Sequence, residues 1–510
     1  MKYPFTCLII GLLITAGCLM AACQPPLPTV DPAHPTEEFC VFVDIVTGTS
    51  GASGTRQDPV DDIREGIELA AFSLKAVCVA QGTYEVDSSL GTPTNIVMVP
   101  GVSLYGGYQN DAGTWTRDPV AHPAIIRDLT LLAGSAVRSA VTCGAGVSRS
   151  TVLDGFEIHS GYGSLTTAIY CYQGSPTISN NQLYGYQGAS TGSYNYVIMC
   201  DQASPRIDTN TLYGGTNHEH VGDISFLNGG TAYVVDNTIL NGTPNVGGLP
   251  QSCGIWIGGC APTLRHNTIY GGSLGDQRFG IYVASADPVI VNNVVDPGMD
   301  AAESSVGIFC LTDASPLIDD NVIKGGINTT GGLESYGVVC YDGSHPIITN
   351  NVIQGGSSLS NTAGVLCQAA SHPDITDNII WAGDEEAGTR HGVWSVGSSP
   401  LIARNIFNSY ASPSRGVSLD GGSAPVITGN TFRAGPGDYR FGIFEVDSGS
   451  DPAAVTGNFF STGLLSGTGS ALYRDVTASV IHTRTTIEDV NNLDTDGYNP
   501  PNSVSGNSLE

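Results

Sequence analysis

Charge is scarce in this chain. Asp, Glu, Lys and Arg together make up 13% of its 510 residues, and the long middle of the sequence holds a single lysine, Lys324. What charge there is leans one way, with 47 acidic residues against 19 basic and a formal net charge of −28. Nucleic acid and anionic membrane faces are therefore excluded as partners, because both would be repelled at long range. Neutral glycans, cations and basic partners stay open. A long apolar run is missing as well: Leu8 to Ile14 near the N-terminus is too short to cross a bilayer. Glycine, by contrast, is abundant at 66 residues, which points to a repeat protein with many tight turns rather than to a set of unrelated globular units.

The N-terminus, one lysine followed by a short apolar run and small residues, is an export signal. Its end resembles the lipobox of bacterial lipoproteins. Met20-Ala21-Ala22-Cys23 fits that pattern, with Met20 in place of the usual Leu, and Thr15-Ala16-Gly17-Cys18 is a weaker second match. The resemblance implies lipidation at Cys23, a signal peptide over 1–22, membrane contact through the lipid alone, and a place at the outer membrane or cell surface, with the periplasm as the alternative. Gln24 is not the aspartate that signals inner-membrane retention in enterobacterial lipoproteins. The proline-rich residues up to Glu38 read as an extended tether, giving a segment 23–38.

Beyond it a sentence repeats. HPIITNNVIQGG at 345–356 returns as HPDITDNIIWAG at 372–383 and was preceded by SPLIDDNVIKGG at 315–326. Aligned on Pro-x-x-x-x-Asn, the units run from Asn181 to Asn458 with a mean period of about 28 residues. Apolar residues within a unit alternate with period two, as strands do, and glycine pairs mark the turns. Such a unit cannot bury its own apolar face, but stacked coils can, at roughly 4.8 Å per coil. The spacing predicts two inward rows: Cys143, Cys171, Cys200, Phe226, Ile257, Val283, Cys310, Cys340 and Cys367, then Leu183, Leu212, Ile239, Ile269, Val295, Ile323, Ile353 and Ile380. The asparagines are expected to take the left-handed turn between strands and to form an amide ladder.

The pattern Gly-Ile…Pro-x-Ile-x-x-Asn-x-Ile resembles the right-handed parallel β-helix of the pectate-lyase-like superfamily over about residues 95–465. The resemblance implies an all-β solenoid of about 12–14 coils, an N-terminal cap over 39–94 and an irregular or capping segment over 466–510. Val41 to Asp44, then Ile63, Ile67 and Leu74 at helical spacing, then Gln81-Gly82-Thr83-Tyr84, look like the strand, capping helix and opening of such proteins, with Asp58-Pro59 as the helix start. This fold hosts lyases, hydrolases, epimerases and adhesins, so it names no reaction.

Candidate chemistry is thin. Cys40 and Cys78 are the cysteine pair placed for a disulfide, and the inward cysteines read as core. His218-Glu219-His220 with Asp223 has the residue types of a metal site, although an exposed loop is the plainer reading. Lyases of this fold use calcium, which is the one cofactor left open; otherwise none is expected. Arg390-His391-Gly392 is a partial echo of a hydrolase motif without its aspartates, and no catalytic residue is assigned. Lys324 should pair with Asp296 one coil away. The outward row of the first strand carries Tyr170, Trp256, Tyr282, Phe309 and Trp394, with Tyr184, Tyr213, Tyr270 and Trp381 on a second outward row. These rings are the candidate ligand-binding residues, with a glycan as the expected partner, unless turn loops fold over them. The expectation is a non-catalytic glycan-binding module. A polysaccharide lyase or hydrolase and a structural spacer are the competing readings.

Overall fold

The computed structural model describes residues 39–509 apart from 74, 88–94, 131–136, 189–192, 217, 245–250, 273–275, 300–302, 329–333, 384–387, 409–412, 434, 436–438, 467–469, 477–480 and 492–503. The expected signal peptide, Cys23, the tether and Leu74 lie outside the described residues. The chain divides into two units at residue 40, and the solenoid belongs to the second.

From Arg138 to Phe460, thirty-six strands follow one another in sets of three and make twelve complete right-handed coils. One coil shows the plan: a long strand Gln251–Gly258, a middle strand Thr263–Arg265 and a third strand Thr268–Tyr270. Each lies parallel on its counterpart in the next coil, at Gln277–Ala284, Val289–Val291 and Val294–Asp296. The sheets that result have 17, 15 and 15 strands. A constant register of this kind makes like positions stack. Both predicted inward rows are buried, and the stacked Ile, Leu, Val and Cys side chains form one continuous core. Full burial of an Ile or Leu side chain stabilises by about 1.5–3 kcal/mol, and each coil contributes several.

The asparagines form an unbroken ladder. The Asn321 backbone N–H and Nδ2 both donate to Asn351 Oδ1, at 2.9 and 3.0 Å, and Nδ2 also donates to Ile290 O of the preceding coil at 2.8 Å. Its own Oδ1 accepts the same pair of donors from Asn293. The left-handed residue is not the ladder asparagine, however, but the one before it: Asn180, Thr209, Asp236, His266, Asn292, Asp320, Asn350, Asp377 and Arg404 all have φ between 53° and 59°. A ladder Asn must aim its amide along the stack, so the preceding residue makes the turn. That is why Asp320 and Asp377 sit where they do. Asp377 also pairs with Arg404 of the next coil at 2.6 Å.

At the N-terminal end, helix α1 (Ile63–Ser73) buries Ile63, Gly66, Ile67 and Ala70. An added Cβ on Gly66 would stand 2.6 Å from Val43 Cγ2 and 3.1 Å from Val77 Cγ1, so the helix lies over the first strands. The helix starts after Asp62, whose carboxylate accepts the Arg64 N–H at 2.7 Å, and not at Asp58-Pro59. Asp58 is instead taken up by Ser53, through its N–H and hydroxyl at 2.8 Å each, while Val60 is still bridged to Val43. At the other end, Ala471–Val476 continues the long-strand sheet. Val504–Ser505 and Ser508–Leu509 pair with Ala454–Thr456 and Phe459–Phe460, and Asn507 takes the next place in the ladder.

Cys40 and Cys78 are disulfide-bonded. The other eight described cysteines carry free, buried thiols. Lys324 Nζ reaches Asp296 Oδ2 at 3.1 Å, as its row position predicts.

Candidate functional site

The outer face of the long-strand sheet collects most of the chain's unusual side chains. Each long strand from Gln251 onward bends at a glycine. At Gly254 the missing Cβ would point at Ile269, and the next residue, Ile255, is also in the core. Two successive inward positions break the alternation, so that Cys253 and Trp256, three residues apart, both face out. A second outward row therefore runs beside the expected one: Cys253, Phe279, Val306, Tyr336, Ala363, His391, Arg415 and Phe441. Strict period-two counting misses it, and the bend glycine is the signal that could have found it.

Together the rows form a hydrophobic cluster separate from the solenoid core. Cys253, Phe279, Val306, Tyr336, Val339, Ala363 and Leu366 are buried, with half-buried Trp256, Tyr282, Phe309, Trp394 and Val396 packed on them. Three of the five candidate rings come together. Trp256 and Tyr282 stack at 4.2 Å and 10°, and Tyr282 and Phe309 at 5.3 Å and 11°, with Phe279 edge-on to both of the latter. Rings stacked in this way give their faces to one another and their edges to solvent. Sugar rings cannot stack on each of them in turn, as a row of separate platforms would allow. Faces come free only where the aromatic run ends. Trp256 has Ser225 as its upstream neighbour, and Trp394 has Leu366 upstream and Ser418 downstream. Trp394 is separated from Phe309 by Val339 and Leu366. Tyr170 is not part of the run: Met199 and Ser225 lie between it and Trp256, and its ring partner is Tyr172.

His391 sits under this face rather than on it. It is buried, stacks on Trp394 at 4.6 Å and shares a 2.7 Å hydrogen bond between Nδ1 and Ser418 Oγ. Burial, helped by the charge of Arg415, holds its pKa well below the usual imidazole value, so it is neutral. Asp420 and Asp447, one coil apart, hydrogen-bond to each other. Burial and that shared bond push Asp420 up. Burial also raises Asp447, but the Gly449 and Gly421 amides outweigh it and hold this carboxyl down. Their oxygens accept from turn amides, Gly421 N–H to Asp447 Oδ2 at 2.7 Å and Gly449 N–H to Asp447 Oδ1 at 2.7 Å, so the pair builds the turn.

The metal-like set does not converge. His218 is buried, with Nδ1 by Thr216 O at 3.0 Å and Nε2 by Gly163 O at 3.3 Å, while His220 stacks on Tyr194. Asp223 is fully buried with neither oxygen partnered, and burial keeps its pKa far above the carboxylate range. Among the described residues no group of three or more His, Cys, Asp or Glu is placed to hold a metal. The second outward row, on the third-strand sheet, carries a stack of its own: His159 on Tyr184 at 4.5 Å and Tyr184 on Tyr213 at 4.6 Å.

Stacked parallel coils with an inward asparagine ladder define a β-helix protein. Residues 141–323 and 300–460 match the model of the right-handed β-helix region, and the chain belongs to that family. A model described as a protein of unknown function also matches residues 46–218. No curated protein matches. Similar solved structures include the A-module of a mannuronan C-5 epimerase from Azotobacter vinelandii (13% identity, TM-score 0.34, covering 88% of this chain and 94% of that one). A surface adhesin of Streptococcus pneumoniae (12%, 0.33, 88% and 99%) and a lacto-N-biosidase of Eubacterium ramulus (14%, 0.33, 80% and 68%) are two more.

Proposed function

We propose that the chain is a glycan-binding module of the bacterial surface, anchored by a lipid on Cys23, that performs no chemistry on what it binds. The observation that carries this reading is the apolar outer strip of the long-strand sheet. Its half-exposed tryptophans, Trp256 and Trp394, lie five coils apart, roughly 24 Å along the axis, and each has a ring face with no aromatic neighbour in its row. A linear ligand lying along the stack would meet an indole at both ends and ring edges between. Catalysis would need carboxylates converging with an arginine or histidine on the ligand. Asp420 and Asp447 are engaged in a turn, Glu334 is bonded to Tyr336 of the strip, and His391 is buried under the strip.

A glycan array of the purified protein, with and without calcium and with product analysis on every hit, tests the reading. Retention of a glycan that weakens at least tenfold in Trp256→Ala and in Trp394→Ala, with no cleavage, is the expected result. Cleavage products would move the protein to the lyases or hydrolases, and a silent array would leave a structural spacer. The anchor has its own test: Cys23→Ser should release the protein from membranes and abolish palmitate labelling, and unchanged partition would overturn it.

A further inference from the structure

The aromatic row of the long-strand face ends in a charged arrangement that no other ring repeats among the described residues. Phe444 follows Ser418 and Trp394 in the row, and Arg474 comes next. The Arg415 guanidinium lies over the Phe444 ring at 3.6 Å to the centroid, and the Arg474 guanidinium lies over the same ring at 4.1 Å. Arg415 belongs to the coil before Phe444 and Arg474 to the coil after it, so one ring is held between two cations. Ser418 makes room for this, since its small side chain leaves the upstream side of Phe444 to Arg415.

Four other arginines pair with acids, while Arg149 and Arg278 donate to backbone carbonyls. Arg64 has Asp62, Arg117 has Asp154, Arg206 has Asp208 and Arg404 has Asp377. With 47 acidic residues against 19 basic ones, an acid is easy to supply. Yet among the described residues no carboxylate lies within 4 Å of either Arg415 or Arg474. Asp420 and Glu445 act on them only at longer range. Arg474 donates once to the backbone, from Nη1 to Glu445 O at 3.2 Å. Arg415 Nε is buried without an acceptor, and so is Trp394 Nε1 one coil upstream. Burial and the neighbouring Arg474 pull the Arg415 pKa down to about 10, and the longer-range attraction of Asp420 offsets only part of this. A planar guanidinium over a ring keeps its N–H edges free, and those edges fit a carboxylate or sulfate through two parallel bonds. Buried donors without acceptors make an anion the complementary ligand.

We infer that the Arg415–Phe444–Arg474 sandwich binds the anionic group, a carboxylate or a sulfate ester, of a charged sugar residue at the C-terminal end of the long-strand face. The inference rests on the glycan reading of that face and narrows it to acidic glycans. The two guanidiniums would take the anionic group while the adjoining Trp394 indole packs against the sugar body.

Two measurements on the full chain separate this inference from the reading beneath it. The first follows thermal stability with sodium glucuronate, sodium sulfate or sodium chloride added at equal ionic strength. A rise in Tm with glucuronate or sulfate over chloride is expected, and its loss in Arg474→Gln. Arg474 is the more exposed partner, so this variant stays informative if Arg415→Gln fails to fold. The second titrates a uronate tetrasaccharide, a sulfated tetrasaccharide and a neutral one by calorimetry. At least tenfold tighter binding of one charged ligand than of the neutral one is expected, shrinking to less than threefold in Arg474→Gln or in 0.5 M salt. Whichever charged ligand is preferred identifies the anion. Equal binding of charged and neutral chains, or a preference that survives Arg474→Gln, overturns the inference while leaving glycan binding intact. An anion-specific rise in Tm with no tetrasaccharide bound keeps the anion site and overturns the glycan reading.

Discussion

In the coils between Arg138 and Leu240 the position where the long strand bends is filled by Ala140, Ala168, Val197 and Asp223. In each coil from Gln251 to Phe460 it is glycine: 254, 280, 307, 337, 364, 392, 416 and 442. The third strand shows what the difference does. Upstream its inward residue is Ile158, Leu183, Leu212 or Ile239, a mixture of Ile and Leu, whereas downstream it is Ile or Val as far as Ile380 and then aromatic, with Phe407, Phe432 and Phe460 stacked at 4.9 and 5.0 Å. A Cβ added to Gly254 would meet Ile269 Cγ2 at 2.6 Å, and one added to Gly416 would meet Phe432 Cδ1 at 2.4 Å. Volume given up at the bend is occupied from across the coil, so the cross-section stays filled. The two regions also carry opposite buried titratable groups, Asp223 upstream and His391 downstream.

The largest effect should come from what the regions share. Asn210→Leu and Asn321→Leu each strand a buried N–H and a carbonyl of neighbouring coils, and each should cost at least about 3 kcal/mol in urea unfolding. Unequal costs would mean that the ladder is not a uniform element. Next is the bend itself. Gly416→Ala should destabilise by about 2 kcal/mol through overpacking, with part of the loss recovered by Phe432→Leu in the double variant, and Ala168→Gly should cost only about 1 kcal/mol. Full additivity in the Gly416/Phe432 pair would break the compensation argument.

The pH response is smaller and opposite in sign between the regions. The Asp223 pKa is raised in the fold, so its carboxyl stays protonated there while the unfolded chain ionises above about 3.9. Its contribution is present below that pH and is lost as pH rises toward the folded value. His391 is depressed in the fold. Its contribution is present above an unfolded value of about 6.5 and is lost as pH falls toward the folded pKa. The Tm gained by Asp223→Asn should therefore grow from pH 4 to pH 8, by the order of a few degrees, while wild type relative to His391→Gln should weaken from pH 7 to pH 5. Parallel trends in both variants would remove this contrast.

Period and register were legible in the sequence because each inward residue recurs at one place per unit. Cys143, Cys171 and Cys200 could be stacked on paper and do stack. The Lys324–Asp296 pair followed from the same counting. What escaped depends on geometry that an alternating code does not carry. The bend glycines put two residues inward in succession and so created the Cys253 to Phe441 row unseen. The turn conformation passed to the residue before each ladder Asn because one side chain cannot both turn and bond along the stack. Ring stacking of Trp256 on Tyr282 follows from coil spacing, yet the choice between offering faces and offering edges is set by rotamers. Arg474 lies beyond the last recognisable repeat, so only the fold brings it to Phe444.

The ladder also has a mechanical meaning. From Asn181 to Asn458 each rung is held to the next by similar bonds, 25 to 30 residues apart, so tension along the axis of those coils finds no single weak plane and no single strong one. A chain fixed at one end and pulled at the other should surrender one coil at a time, each yielding about 28 residues, or roughly 95 Å of slack. Under the proposed role of holding a long polymer at a surface, such stepwise yielding would absorb a load while the remaining coils keep their grip.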